Sequence, residues 1–116
     1  MDLTPFTPLN AQPADLVMFD RRELSAILTV YGRMVALGEW RDYAIDATRE
    51  AAVFSIFRRT AEHPLYRVEK RPRLAQRQGA YAVIAMDGRI LKRGRDLGLV
   101  LRAFDAKLLK VIAGGA

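Results

Sequence analysis

The chain has 116 residues, of which 51% are hydrophobic and 28% are charged, which indicates a single globular domain and excludes a wholly disordered protein. It contains no cysteine, which excludes disulfides and thiolate metal sites. Its formal net charge of +6 falls within the range of about 2 to 8 that keeps small domains soluble, so the total charge indicates no partner by itself.

The N-terminal third predicts a tail followed by a helix. Residues 1–14 hold three of the five prolines and no periodicity, which predicts a mobile tail. A helix should start at Asp20, because Asp20 and Glu23 form a variant of the capping box, and it should end at Gly38. Gly32 should allow close packing against a neighbour. The residues with helical spacing, which we expect to be buried, are Leu24, Ile27, Leu28, Tyr31 and Val35.

From Trp40 onward the hydrophobic period shifts toward two, which predicts strands. The short connections favour an antiparallel meander, and Asp87-Gly88 predicts a type I′ turn. A second helix should start at Asp96, and residues 113–116 should fray. The predicted fold is α+β, with one domain over residues 15–112. The five predicted strands are WRDYAID, AVFSIFRR, LYRVEKR, AYAVIAM and RILKR, and the stripe of the second helix is Leu97, Val100, Leu101, Phe104, Leu108 and Val111.

The two faces of this sheet follow from a choice of register. Pairing Arg59 with Leu65, and Met86 with Arg89, sorts the strand residues into two sets. The predicted core face is Phe54, Ile56, Tyr66, Val68, Tyr81, Val83 and Ile90. The predicted second face, a possible interaction face, is Val53, Phe57, Ile84, Met86 and Leu91, surrounded by Arg67, Arg71, Arg89 and Arg93.

The sequence offers little support for catalysis, so we expect no enzyme, no metal and no cofactor. The single histidine, His63, is too few for a metal site, and neither Ser25 nor Ser55 lies in a nucleophile motif. Asp42 and Asp46 could share a strand face as an acid and base pair, but salt bridges to arginines are the favoured interpretation. The glycines lack the spacing of a nucleotide-binding loop.

Positive charge is concentrated in one part of the chain. Residues 58–95 hold 11 Lys/Arg against three acids, a net charge of +8, whereas the remainder carries −2. Tyr66 and Tyr81 interleave with this charge and could stack on bases, although we favour a place in the core for both. Trp40 could anchor a partner, but the favoured interpretation is a residue that closes the corner between helix and sheet. The candidate residues for an acidic partner are Arg67, Arg71, Arg73, Arg77, Arg89, Lys92 and Arg93.

Four segments carry a resemblance to a known family: FDRRELSAILTVYGRMVALGEWRDYAID, VFSIFRR, PLYRVEKRPRLAQRQGAYAVI and ILKRGRDLGLVLRAFD. Together they resemble the bacterial family of small proteins catalogued as domain of unknown function 2794. The resemblance covers roughly residues 17 to 111 and leaves out both ends. It implies a stand-alone bacterial domain and brings no catalytic residue or cofactor with it.

Two functions remain open at this point, and neither is enzymatic. The first is a binding module whose basic sheet edge and 71–77 loop engage an acidic partner, most plausibly nucleic acid. The alternative is a homodimer or protein-interaction module that uses the apolar second face with its arginine rim. The opening MDLTPFTPLN has neither the basic start nor the apolar stretch of a signal peptide, and the chain has no membrane-spanning run, so we expect a soluble cytoplasmic protein.

Overall fold

A computed structural model of the protein describes residues 15–59, 63–106 and 110. Within these ranges the fold is α+β, as predicted, with five strands and two α-helices. The two predicted tails, and Leu108 and Val111 of the second helix stripe, lie outside the described residues. The elements are α1 (Arg21–Ala36), β1 (Asp42–Ala47), β2 (Ala52–Phe57), β3 (Tyr66–Lys70), β4 (Tyr81–Ala85), β5 (Ile90–Gly94) and α2 (Leu97–Leu101), with 3-10 turns at Pro72–Leu74 and Arg102–Phe104.

The sheet is an antiparallel meander in the order β1-β2-β3-β4-β5, which confirms the predicted topology. In the β2 and β3 pair, Phe54 lies opposite Val68 and Ile56 opposite Tyr66, two residues away from the predicted register. Because strand side chains alternate with a period of two, this shift leaves every residue of the pair on its predicted face.

The pairing of β4 with β5 departs from the prediction in a way that changes faces. Val83 lies opposite Lys92 as predicted, but the register then shifts and Ile84 lies opposite Ile90. A bulge of this kind places one extra residue in a strand and inverts the alternation beyond it. Ile90 therefore lies on the second face with Ile84, whereas Leu91 packs against the core. The predicted places of Ile90 and Leu91 were thus both wrong.

The turn between these strands also differs from the predicted type I′ turn. The Gly88 N–H donates to the Ala85 carbonyl at 2.9 Å, so Met86 and Asp87 are the central residues and Gly88 follows them. Gly88 has a φ of +88°, the left-handed conformation that the residue after such a turn needs at a bulge. The Asp87 carboxylate accepts from the Arg89 N–H at 2.9 Å and stabilises the turn.

Both helices pack on the same face of the sheet. The core contains Ile27 and Met34 of α1 together with α2 and the inward residues of β2, β3 and β4. Trp40 lies inside this core, with its ring centroid 4.9 Å from that of Phe104, and so closes the corner between helix and sheet. The buried residues of this cluster are Ile27, Met34, Trp40, Phe54, Ile56, Val68, Val83, Leu97, Val100, Leu101 and Phe104.

Helix α1 is capped as predicted, and the predicted stripe residues Leu24, Ile27, Leu28 and Tyr31 pack on the core. Asp20 and Glu23 form a complete capping box, with both bonds at 2.8 Å. Met34 is buried, whereas Val35 is 40% exposed, so the prediction for Val35 was wrong. A β-carbon at Gly32 would meet no atom within 4 Å, which contradicts the expected close packing there.

A buried carboxylate ties the start of α1 to the sheet. Glu23 accepts from the Lys70 ammonium at 2.7 Å and from the Tyr81 hydroxyl, in addition to its capping bond. Lys70 and Tyr81 are directly opposite each other on β3 and β4, so one carboxylate joins the helix start to two strands. Burial, and then the hydrogen bond to Glu23, raise the pKa of Tyr81 well above its usual range and keep the phenol neutral.

Two glycines, one packed against a neighbouring strand and one exposed on α1, give a matched test of the local packing. Gly79 has a φ of +100°, and a β-carbon there would overlap the backbone of Gly94. We expect Gly79→Ala to lower the free energy of unfolding by about 2 kcal/mol or more, measured by urea denaturation. Gly32→Ala should instead raise it by up to about 1 kcal/mol, because an exposed helix position gains propensity without a clash. Equal effects of the two substitutions would contradict the packing described.

Candidate functional site

The second face of the sheet, here called the open face, has no helix or strand packed on it within residues 15–59, 63–106 and 110. The reason is that α1 and α2 share the other face. A sheet with apolar residues on both faces needs both covered. The open face comprises Asp42, Ala44 and Asp46 of β1, Val53, Ser55 and Phe57 of β2, Arg67 and Glu69 of β3, Ala82 and Ile84 of β4, and Ile90 and Arg93 of β5.

Part of the open face is apolar and accessible. Ile90 is 50% exposed, and Met86, in the turn between β4 and β5, is 64% exposed. Val53 and Phe57 are partly exposed, whereas Ile84 is only 5% exposed. Of the four predicted interaction residues, Phe57 and Met86 therefore offer accessible apolar surface, Ile84 contributes little, and Leu91 points to the core.

Charged side chains on β3 form a compact group in the middle of the open face. The Glu69 carboxylate lies 3.0 Å from Arg71 Nε and 3.6 Å from Arg67 Nε. Glu69 is only 6% exposed, while the two arginine side chains keep more than a third of their surface accessible. Two of the predicted polyanion contacts are therefore engaged by an internal carboxylate.

The charges at the two margins of the open face differ in sign. Asp42 and Asp46 lie on the outer strand β1, and Arg93 lies on the opposite outer strand β5. Arg93 makes one long bond, from Nη1 to the Gly79 carbonyl at 3.3 Å, and its buried Nε has no partner among the described residues. Because buried polar groups are almost always hydrogen-bonded, this unpartnered Nε–H donor is an unusual feature of the sheet margin.

The loop between β3 and β4 is held firmly at one end of the sheet. Arg95 donates from Nε to the Ala75 carbonyl and from Nη2 to the Gln76 carbonyl, each at 3.0 Å. Gly79 closes the loop against the backbone of Gly94, and its N–H donates to the Leu74 carbonyl at 2.8 Å. Arg73 and Arg77 are exposed on this loop and form no salt bridge within the described residues.

The structure does not gather the seven predicted cations into one surface. Arg71, Arg73, Arg77 and Arg93 lie at or near the loop end of the sheet. Arg89 lies beyond the far end of β5, and a strand of five residues spans about 17 Å. Arg67 is the second residue of β3, near the end away from the loop, and Lys92 is exposed on the edge strand opposite Val83.

The tyrosines favoured as core residues by the sequence do belong to the core. Tyr66 and Tyr81 both pack against the buried cluster, and the Tyr66 ring lies 5.2 Å from that of Phe104. Within the part of the chain that the structure describes, no three His, Asp or Glu residues are placed to hold a metal ion. No helix in that part is both long and apolar enough to cross a bilayer.

Two residues that shape this site were not singled out from the sequence. The sequence pattern places Ile90 in the core, because no local signal marks the bulge that moves it to the open face. Arg95 was counted only as part of the basic segment, since nothing in its neighbours distinguishes a loop clamp from a solvated charge. The one cue in the sequence is that Arg95 lies between the end of a strand and the helix-capping Asp96.

The fold and the open face define a small α+β domain in which two helices cover one side of an antiparallel meander and the other side carries mixed apolar and charged residues. The chain belongs to the family described as protein of unknown function (DUF2794), which it matches over residues 17–101. The resemblance seen in the sequence is thereby confirmed. No curated protein and no solved structure matches the chain.

The role of Arg95 can be tested without any ligand. Arg95→Ala removes two hydrogen bonds to loop carbonyls, worth about 1 kcal/mol each, so the amides of residues 75–79 should exchange with solvent at least about tenfold faster. Arg77→Ala is the matched control, because its exposed side chain makes no described hydrogen bond. Unchanged exchange in Arg95→Ala would show that the loop does not depend on this clamp.

Proposed function

We propose that this protein is a non-enzymatic interaction module that forms a homodimer through the open face. The observation that supports it is the packing of both helices on one side of the sheet, which leaves Met86, Ile90 and part of Phe57 exposed on the other. Exposed apolar surface rimmed by polar residues is typical of an interaction site. We expect the module to act in the cytoplasm, as the sequence predicts.

A second copy of the same chain fits the charge pattern of this face. Register aligns Asp46, Val53, Glu69, Ala82 and Arg93 in one row across the five strands. A two-fold axis parallel to β3 would set β1 of one copy over β5 of the other within the same row. Asp46 then faces Arg93 of the second copy, which carries the opposite charge.

The same two-fold axis also brings apolar residues of the two copies together. Strand β2 of one copy lies over β4 of the other, which brings Phe57 toward Met86 of the second copy, a favourable sulfur and aromatic pair. Near the axis, Arg67 and Arg71 of each copy come within reach of Glu69 of the other. Sheets that pack face to face keep their strands within about 30° of parallel, so twisted sheets can adopt this arrangement.

The size of the face predicts a weak dimer. Five strands at about 4.8 Å spacing, each about 18 Å long, give a face of about 24 by 18 Å. Two such faces bury about 860 Å² together, below the value of about 1,000 Å² that a stable specific interface exceeds. We therefore expect dissociation in the micromolar range.

Substitutions at Ile90 and Leu99, two side chains of similar size and exposure, test the dimer. Ile90→Glu places a charge in the interface and should raise the dimer dissociation constant about tenfold or more, measured by analytical ultracentrifugation. Leu99→Glu is the control, since Leu99 is 51% exposed on α2, on the other side of the sheet, and Ile90 is 50% exposed.

Asp46→Arg and Arg93→Asp should each weaken the dimer, and the double variant should restore it. A monomer at high micromolar concentration would overturn the proposal.

One observation favours the acidic-partner function as a second candidate. Arg73 and Arg77 stand exposed on a loop that Arg95 and Gly79 hold in place, so little ordering entropy opposes a phosphate contact there. Nucleic acid remains the most plausible partner for these side chains. The surface is smaller than the sequence suggested, because Arg67 and Arg71 are paired with Glu69.

The salt dependence of binding decides how many of these arginines contact phosphates. Two to three contacts predict that log affinity for duplex DNA falls against log salt with a slope of roughly −2 to −3. Changing Arg71, Arg73 and Arg77 to serine should make the protein elute from a polyanion column at clearly lower salt. A variant with Arg21, Arg22 and Arg49 changed to serine removes equal charge elsewhere and should elute closer to the parent. Equal elution of the first variant and the parent would exclude the loop as the contact.

A further inference from the structure

A second basic site lies at the end of the sheet opposite the 71–79 loop. Arg41 directly precedes β1, and Arg58 and Arg59 directly follow β2, so the antiparallel pairing brings all three to one end. The Arg41 N–H donates to the Phe57 carbonyl at 2.8 Å, which fixes the two chain segments side by side. With Val35 and Gly38 at the end of α1, these arginines line a groove of about 430 Å³.

Positive charge in this groove exceeds the negative charge near it. Arg58 lies 3.4 Å from the Glu39 carboxylate, and both side chains are substantially exposed. Arg41 and Arg59 form no salt bridge within the ranges that the structure describes. Guanidinium groups stay protonated at any physiological pH, so among the described residues the groove lining carries three permanent positive charges, one of which is paired with Glu39. A concave site focuses such a field and concentrates anions.

Arg58 is shared with a second groove that has a different lining. Arg58 also lines a groove of about 380 Å³ that has Met34, Trp40, Leu65 and Tyr66 on its walls, with Glu39 and Lys110 at its margin. Guanidinium groups can bind the phosphate of a small phosphate ester, and adjacent aromatic and apolar side chains can pack against its ring. Both volumes lie within the range of about 300 to 1,000 Å³ usual for small-ligand sites.

We propose that the groove lined by Arg41, Arg58 and Arg59 binds the phosphate group of a small ligand, with the adjoining Trp40 and Tyr66 groove available to an apolar ring. A planar guanidinium group can donate two parallel hydrogen bonds to the oxygens of one phosphate. Three arginines from two neighbouring segments can supply several such bonds. The site is separate from the open face and from the 71–79 loop, and it requires neither the dimer nor a nucleic acid.

Nuclear magnetic resonance titration at constant ionic strength tests this site. Inorganic phosphate and phenyl phosphate, each balanced against sodium chloride, are added to the 15N-labelled full chain. We expect saturable shifts confined to the Arg41, Arg58 and Arg59 side-chain Nε–H groups and the Gly38 amide. Changing the three arginines to glutamine should raise the dissociation constant about tenfold or more, because the charge-assisted hydrogen bonds to the phosphate are lost.

The controls separate a built site from general attraction. The variant R22Q/R73Q/R77Q removes the same charge at the opposite end of the sheet and should bind phosphate like the parent. The single variant Arg59→Gln keeps the Arg58 and Glu39 pair intact and should weaken binding partially without disturbing the fold. Tighter binding of phenyl phosphate would assign the site to phosphate esters, and equal binding would assign it to the free anion. Shifts that sodium chloride alone reproduces, or equal loss in both triple variants, would overturn the proposal.

Discussion

The arrangement of this domain depends on one buried carboxylate. Glu23 completes the cap of α1 and at the same time binds the Lys70 ammonium and the Tyr81 hydroxyl on the central strands. A buried charge without these partners would cost several kcal/mol, so α1 has little freedom to rotate or to move to the other side of the sheet. With α2 packed beside it on the same side, the remaining face of the sheet stays open.

A single bulge then decides what the open face offers to a partner. The register shift beside Ile84 moves Ile90 outward and Leu91 inward, so the exposed apolar surface lies toward β5 and the turn before it. Acidic residues on β1 balance Arg93 on β5, and this asymmetry across the sheet is what a two-fold pairing of the face with itself can use. The dimer proposal therefore rests on tertiary geometry more than on composition.

Arginine performs several separate tasks in this chain, which is why counting charges along the sequence overstated a single binding surface. Arg95 holds a loop by its carbonyls, and Arg67 and Arg71 balance Glu69 in the sheet. Arg73 and Arg77 remain exposed at one end, and Arg41 and Arg59 lie at the other. The two ends are separated by the length of a strand, so each can take a ligand independently.

The sequence by itself determined the features that depend on neighbours in the chain. The Asp20 and Glu23 cap, the start of the second helix at Asp96 and the meander with its short connections are all local, and all were predicted. Only the tertiary structure decided that Met34 replaces Val35 in the core, that Ile90 and Leu91 exchange faces, and that the cations divide between two ends. The physical reason is that helix rotation and strand register are set by contacts between residues distant in the chain, such as Glu23 with Lys70 and Tyr81.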